Sequence, residues 1–192
     1  MSDYELTIID VSNIFSVLLN YVFIWLFLLT TLINFSKSSS FNYNATDSIR
    51  KETTFLSLTM FLSYFLSINV GDFGVQYVND FLLSFHFFYF IFDVLTMLIL
   101  FFLLKVNTER ARVCRFYLLF FLGCNAVLFL LMHIETALYW EVHGAYSHWW
   151  FWDLFTYSIN IFDTLMVLSL LTCKDFLGLF MFKRRMNGFL VN

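Results

Sequence analysis

Residues 91–105 read IFDVLTMLILFFLLK, an apolar run that carries one carboxylate near its start and stops at a lysine. The run extends back to about Val78. That is long enough for a helix crossing a bilayer, since a span takes about 20 mostly apolar residues at 1.5 Å rise each. A membrane strand would alternate apolar and polar positions, which this run does not do. The question it raises is what Asp93 does where hydrocarbon is expected.

Composition carries the reading outward. Of 192 residues, 60% are hydrophobic and 13% charged, and the mean hydropathy is +0.77, outside the soluble range. The 28 Phe are spread along the chain and leave no stretch for a soluble domain. The expected fold is therefore all-α: a polytopic integral membrane helix bundle, with residues 1–192 as a single transmembrane domain. Five transmembrane helices are expected, at about 11–35, 53–70, 78–104, 113–132 and 149–173, followed by an amphipathic tail at 174–192 on the inner leaflet. The second is the most polar, but Ser57, Thr59, Ser63 and Ser67 can bond back to helix carbonyls. With no proline in the chain, helix breaks should fall on glycine or polar residues. Gly71 and Gly74 should punctuate the turn before the third span, and Asp47 or Ser48 should cap a helix that starts ahead of the second.

The basic residues sort by side. Lys37, Arg50 and Lys51 fall between spans one and two, and Lys105, Arg110, Arg112 and Arg115 between three and four. Lys174, Lys183, Arg184 and Arg185 follow span five. The remaining segments carry Asp3, Glu5, Asp10, Asp72, Asp80, Glu135 and Glu141. Cytoplasmic loops hold the Lys/Arg excess, so the N-terminus is expected outside and the C-terminus in the cytoplasm of a plasma or bacterial inner membrane. The first span, lacking a basic start and a cleavage site, reads as an uncleaved anchor. The sequons at Asn34 and Asn44 then face the cytoplasm and should be unused. Cys114, Cys124 and Cys173 read as small hydrophobes rather than disulfide partners.

The motif recurs. Residues 161–165 read IFDTL against IFDVL at 91–95. Asp93 precedes Lys105 by twelve residues and Asp163 precedes Lys174 by eleven, so both carboxylates lie ~17 Å from the basic collar, near mid-membrane. Residues 61–63 (FLS) and 121–123 (FLG) correspond more faintly. Spans two–three and four–five thus read as a possible tandem hairpin repeat.

Each Asp sits in a polar stripe. Asn79, His86 and Asp93 recur every seven residues, with Tyr89 and Thr96 beside them. Asp153, Thr156, Asn160 and Asp163 share one face of the fifth span, and Asn125 adds a polar group to the fourth, as Asn20 and Tyr21 do to the first. An intramembrane Asp costs ~2.5–3.5 kcal/mol on insertion scales, which favours an inward seam over charges facing lipid. The seam set is Asp93, Asp163, His86, Asn160, Asn125, Thr156 and Tyr89. Acidic groups among hydroxyl, amide and imidazole relays suit conduction or transport of protons or small cations, and paired carboxylates suit sharing a proton. The alternative is a noncatalytic membrane subunit, scaffold or membrane-acting effector whose polar residues glue helices or dock a partner.

Residues 133–153, HIETALYWEVHGAYSHWWFWD, place His133, Glu135, His143, His148 and Asp153 at an outer mouth among interfacial tryptophans. The spacing matches no metal motif, so no metal or cofactor is expected, enzymatic activity is disfavoured, and a pH-responsive gate is the sharper use of the histidines. Lys183, Arg184 and Arg185 should contact inner-leaflet lipid rather than nucleic acid. Five short helices leave little room for a wide pore, which makes a homo-oligomer or a membrane-protein partner the expected assembly.

Overall fold

The computed structural model describes residues 21–37, 46–77, 85–143 and 150–189, and every regular element among them is helical. The elements are α1 (Tyr21–Lys37), α2 (Thr46–Tyr77), α3 (Phe85–Leu98) continuing into a π turn (Ile99–Leu103), α4 (Glu109–His143), α5 (Trp150–Thr172) and α6 (Leu179–Phe189). Three helices are long and apolar enough to cross a membrane, at His86–Leu103, Glu109–Thr136 and Trp150–Thr172. Large apolar side chains stand exposed on all of α1–α5, among them Trp25, Phe65, Leu98, Val127 and Ile161. Apolar surface on that scale suits lipid rather than water, and marks a membrane protein.

α2 is one helix from Thr46 to Tyr77, which corrects two local expectations. Asp47 and Ser48 lie inside its first turn, and Gly71 and Gly74 are helical rather than turn residues. A glycine weakens a helix by only about 1 kcal/mol and does not end it unaided. Three of the four hydroxyls behave as expected: Ser57, Thr59 and Ser67 donate to the carbonyls of Thr54, Phe55 and Tyr64 at 3.0, 2.9 and 3.0 Å, whereas Ser63 bonds across to Thr96 on α3.

The break at the end of α3 falls on neither glycine nor a polar residue. The π turn is ILFFL, closed by Leu104 N–H on the Ile99 carbonyl at 3.3 Å. The chain then turns extended at Leu104, whose carbonyl accepts from Arg115 Nη1 at 3.1 Å. A partner on α4 thus takes over a carbonyl that a continuing helix would have satisfied itself.

The same end of the bundle carries two side-chain caps. The Glu52 carboxylate on α2 accepts from the N–H groups of Asn107 and Thr108 at 3.0 and 3.1 Å and from the Thr108 hydroxyl at 2.6 Å, capping α4 from another helix. Burial alone would raise the Glu52 carboxyl, but these bonds and the Arg112 charge hold it below its ordinary value. Asp175 caps α6, accepting from Met181 N–H at 2.8 Å and from the Tyr117 hydroxyl. Gly178, at φ 69°, supplies the left-handed step into that helix.

α3 packs on α2 and α4, and α4 on α5. α1 lies against both α2 and α5: Phe27 meets Tyr64 with ring centroids 4.6 Å apart, and Asn34 Nδ2 donates to the Leu170 carbonyl at 3.3 Å. Asn34 is buried there, which by itself shields its sequon. The tight core fills the half of the bundle nearer the caps, with Leu56, Met60, Leu100, Tyr117, Leu118, Leu122, Met166 and Leu170 fully buried. That half is called the basic end below.

Candidate functional site

The half of the bundle away from the basic end holds a cavity of about 270 Å³. Helical periodicity explains its polar lining: residues three, four or seven apart share a face, so His86, Tyr89 and Asp93 on α3 and Thr156, Asn160 and Asp163 on α5 all border it, Thr156 at an exposed position. α4 contributes Asn125, and α2 contributes Ser63, Tyr64 and Ser67. All seven seam residues expected from the sequence line this one space. Phe23, Phe129, Trp152 and Phe155 complete its aromatic wall.

The two aspartates differ in their surroundings. Asp163, 4% exposed, accepts on Oδ1 from the Tyr64 hydroxyl at 2.5 Å and from Asn125 Nδ2 at 2.8 Å, tying α2, α4 and α5 together. Asp93, 7% exposed, has a buried Oδ2 with no hydrogen-bond partner among the described residues. Asn125 Oδ1 is in the same position. Buried acceptors without donors are rare in folded proteins, and each marks a place where a donor fits. Beside Asp93, the Ser63 and Thr96 hydroxyls are hydrogen-bonded, and Thr96 donates to the Phe92 carbonyl at 2.7 Å.

Toward the basic end the seam closes. One turn beyond the polar groups come Met60, Phe121, Leu122 and Met166, all buried. The buried hydroxyls at that depth, Thr30, Thr31, Ser57 and Ser169, donate to carbonyls of their own helices. The cavity thus ends at its carboxylates, against a packed floor.

At the other end, His86 meets Trp152 and Phe155 edge-on at 5.9 and 5.6 Å, and Tyr89 stacks on Phe129 at 5.2 Å. Asn160 Nδ2 donates to the Thr156 carbonyl at 2.7 Å, which leaves its oxygen and its second N–H for a ligand. The described members of the proposed mouth set, His133, Glu135 and Asp153, are not part of this lining. His133 packs against Phe87 at 5.1 Å, Glu135 is half-buried and Asp153 is exposed. His143 is the last residue of α4, and the position of its side chain is outside the described residues, as is the whole of His148. Among the described residues no three His, Cys, Asp or Glu side chains converge to hold a metal.

At the basic end, Arg184 pairs with Glu109 at 3.2 Å and Lys183 Nζ stands 4.8 Å from the centre of the Phe116 ring, while Arg185 is exposed on α6. The Arg184 pair is solvent-exposed on both sides and adds little stability. Cys114, Cys124 and Cys173 carry free thiols, the first of them buried.

Sequence reasoning missed Tyr64, the residue that engages Asp163. A signal existed: Ser63, Tyr64 and Ser67 share a helical face, but on a Phe-rich span they read as a lowering of hydropathy rather than a site. Comparison with family models, with curated proteins and with solved structures finds no match to the chain.

Proposed function

We propose that the chain is a five-span membrane protein that moves protons or small cations across a plasma or bacterial inner membrane, with Asp93 as the group that binds them. The observation that carries this reading is the pair of buried acceptors, Asp93 Oδ2 and Asn125 Oδ1, without donors beside a polar cavity. A bound cation, or a proton carried by the Asp93 carboxylate, supplies what the Asp93 oxygen lacks. The sorting of all Lys and Arg to alternate segments supports an outer N-terminus and a cytoplasmic C-terminus; in that orientation the cavity would lie on the outer side and its packed floor toward the cytoplasm. The recurrence of IFDxL supports two hairpins related in tandem. A floor of Met60, Phe121, Leu122 and Met166 suits a carrier that opens alternately to the two sides better than an open pore. The seam lies within one chain, so binding in this reading needs no second copy.

A second reading has its own support. The Tyr64–Asp163–Asn125 bonds are what a helix-fastening role requires, so a scaffold or subunit built on Asp163 is the alternative. Reconstitution in liposomes separates the two. Cation- or proton-driven flux should be present in the wild-type protein and lost in Asp93→Asn, while the variant keeps its helical signal and detergent stability. Flux that is absent from the wild type, or unchanged by the substitution, would reject transport at Asp93.

A further inference from the structure

We infer that the cavity takes a small organic ammonium, an amine with a compact apolar body, rather than a bare metal ion. The inference rests on Asp93 as the cation site and names the class of cation. Three observations support it. The first is volume: about 270 Å³ approaches the low end of small-molecule pockets, roughly 300–1,000 Å³, and far exceeds the space one ion needs.

The second is the donor count. A hard metal ion takes about six or more oxygen ligands. Asp163 Oδ1 already accepts from Tyr64 and Asn125, and the Thr96 hydroxyl oxygen already accepts from Ser63. On the residues that line the cavity, two buried oxygens without donors, Asp93 Oδ2 and Asn125 Oδ1, match instead the two or three N–H groups of a secondary or primary ammonium.

The third is the wall. Phe23, Tyr89, Phe129, Trp152 and Phe155 line the same cavity as Asp93, and aromatic faces attract organic cations while packing against their carbon skeletons. No Lys or Arg lines the cavity among the described residues, so nothing there pairs a phosphate or a carboxylate. That disfavours phospholipid headgroups and amino-acid zwitterions and leaves simple amines. Asp93 and Asn125 would hold the ammonium, with the aromatic wall around its body.

The experiment uses the full chain in lipid nanodiscs and 2-phenylethylamine as probe, followed by calorimetry and by tryptophan fluorescence. Saturable binding is expected at a pH where the amine is protonated. The neutral analogue 2-phenylethanol should compete at least about tenfold less well. Asp93→Asn should weaken binding by about tenfold or more. Ser67→Phe, which puts bulk into the cavity and leaves both aspartates in place, should also weaken it. The wild-type competition stands even if a variant fails to fold. No saturable binding, equal competition by the alcohol, or undiminished affinity in a folded Asp93→Asn protein would overturn the inference. Sodium and proton flux measured on the same preparation separates the failures. Flux without amine binding removes the organic ligand and keeps cation transport, whereas absence of both removes transport too.

Discussion

Asp93 and Asp163 stand in almost the same pentapeptide and do different things. Asp163 holds two donors from two other helices, so Asp163→Ala leaves the Tyr64 hydroxyl and the Asn125 amide without their acceptor. The expected loss is about 2–6 kcal/mol of stability, at roughly 1–3 kcal/mol for each orphaned group. Asp93→Asn removes a charge with an unpartnered oxygen and should cost much less. Thermal unfolding of the two variants in one detergent checks the order, and a larger loss in Asp93→Asn would contradict the assignment. The sequence showed that both carboxylates lie at one depth on inward faces, because a helix fixes rise and azimuth. It could not show which one is engaged, because the deciding partner, Tyr64, sits on α2 and is joined to Asp163 only by packing.

At the scale of the element, α5 and most of α3 were legible as long apolar runs. The joints between helices were not. Glu52 illustrates why: it caps α4 across 55 residues of chain, and no local pattern announces such a pairing. The π turn ILFFL is equally silent: the chain turns extended just after it, and the Leu104 carbonyl there is taken up by Arg115, eleven residues on. Glu52→Gln should destabilise the protein by about 1 kcal/mol at neutral pH, the scale of a lost helix cap. The pH dependence has a definite sign. A carboxyl held below its ordinary value in the folded state stabilises above its unfolded pKa, and that contribution is lost as pH falls through the folded value. The difference between wild type and Glu52→Gln should therefore shrink in acid. Denaturation midpoints from neutral pH down to about pH 3 measure it, and a gap that widened toward acid would contradict the cap. Arg115→Ala should likewise loosen the end of α3, seen as faster amide exchange at Leu104 and Val106 than at Leu118.

Over the whole molecule, the arrangement is a polar cavity on one side of two carboxylates and a packed floor on the other. Met166, fully buried below Asp163, is part of that floor. Met166→Ala should raise passive cation leak through liposomes severalfold, read with a pH- or sodium-sensitive dye, and an unchanged leak would place the barrier elsewhere. The inward stripes were legible in the sequence because their residue types and spacing were enough to bring all seven seam residues to one cavity. The floor was not, because Met, Leu and Phe look the same facing lipid as facing one another. The central claim is that Asp93 is the group a cation meets. Infrared difference spectra of the reconstituted protein, with and without the transported cation, report it most directly. A carboxyl band should respond to the cation in the wild type, persist in Asp163→Asn and vanish in Asp93→Asn. A band that instead vanished with Asp163→Asn, or one that no cation perturbed, would contradict the account.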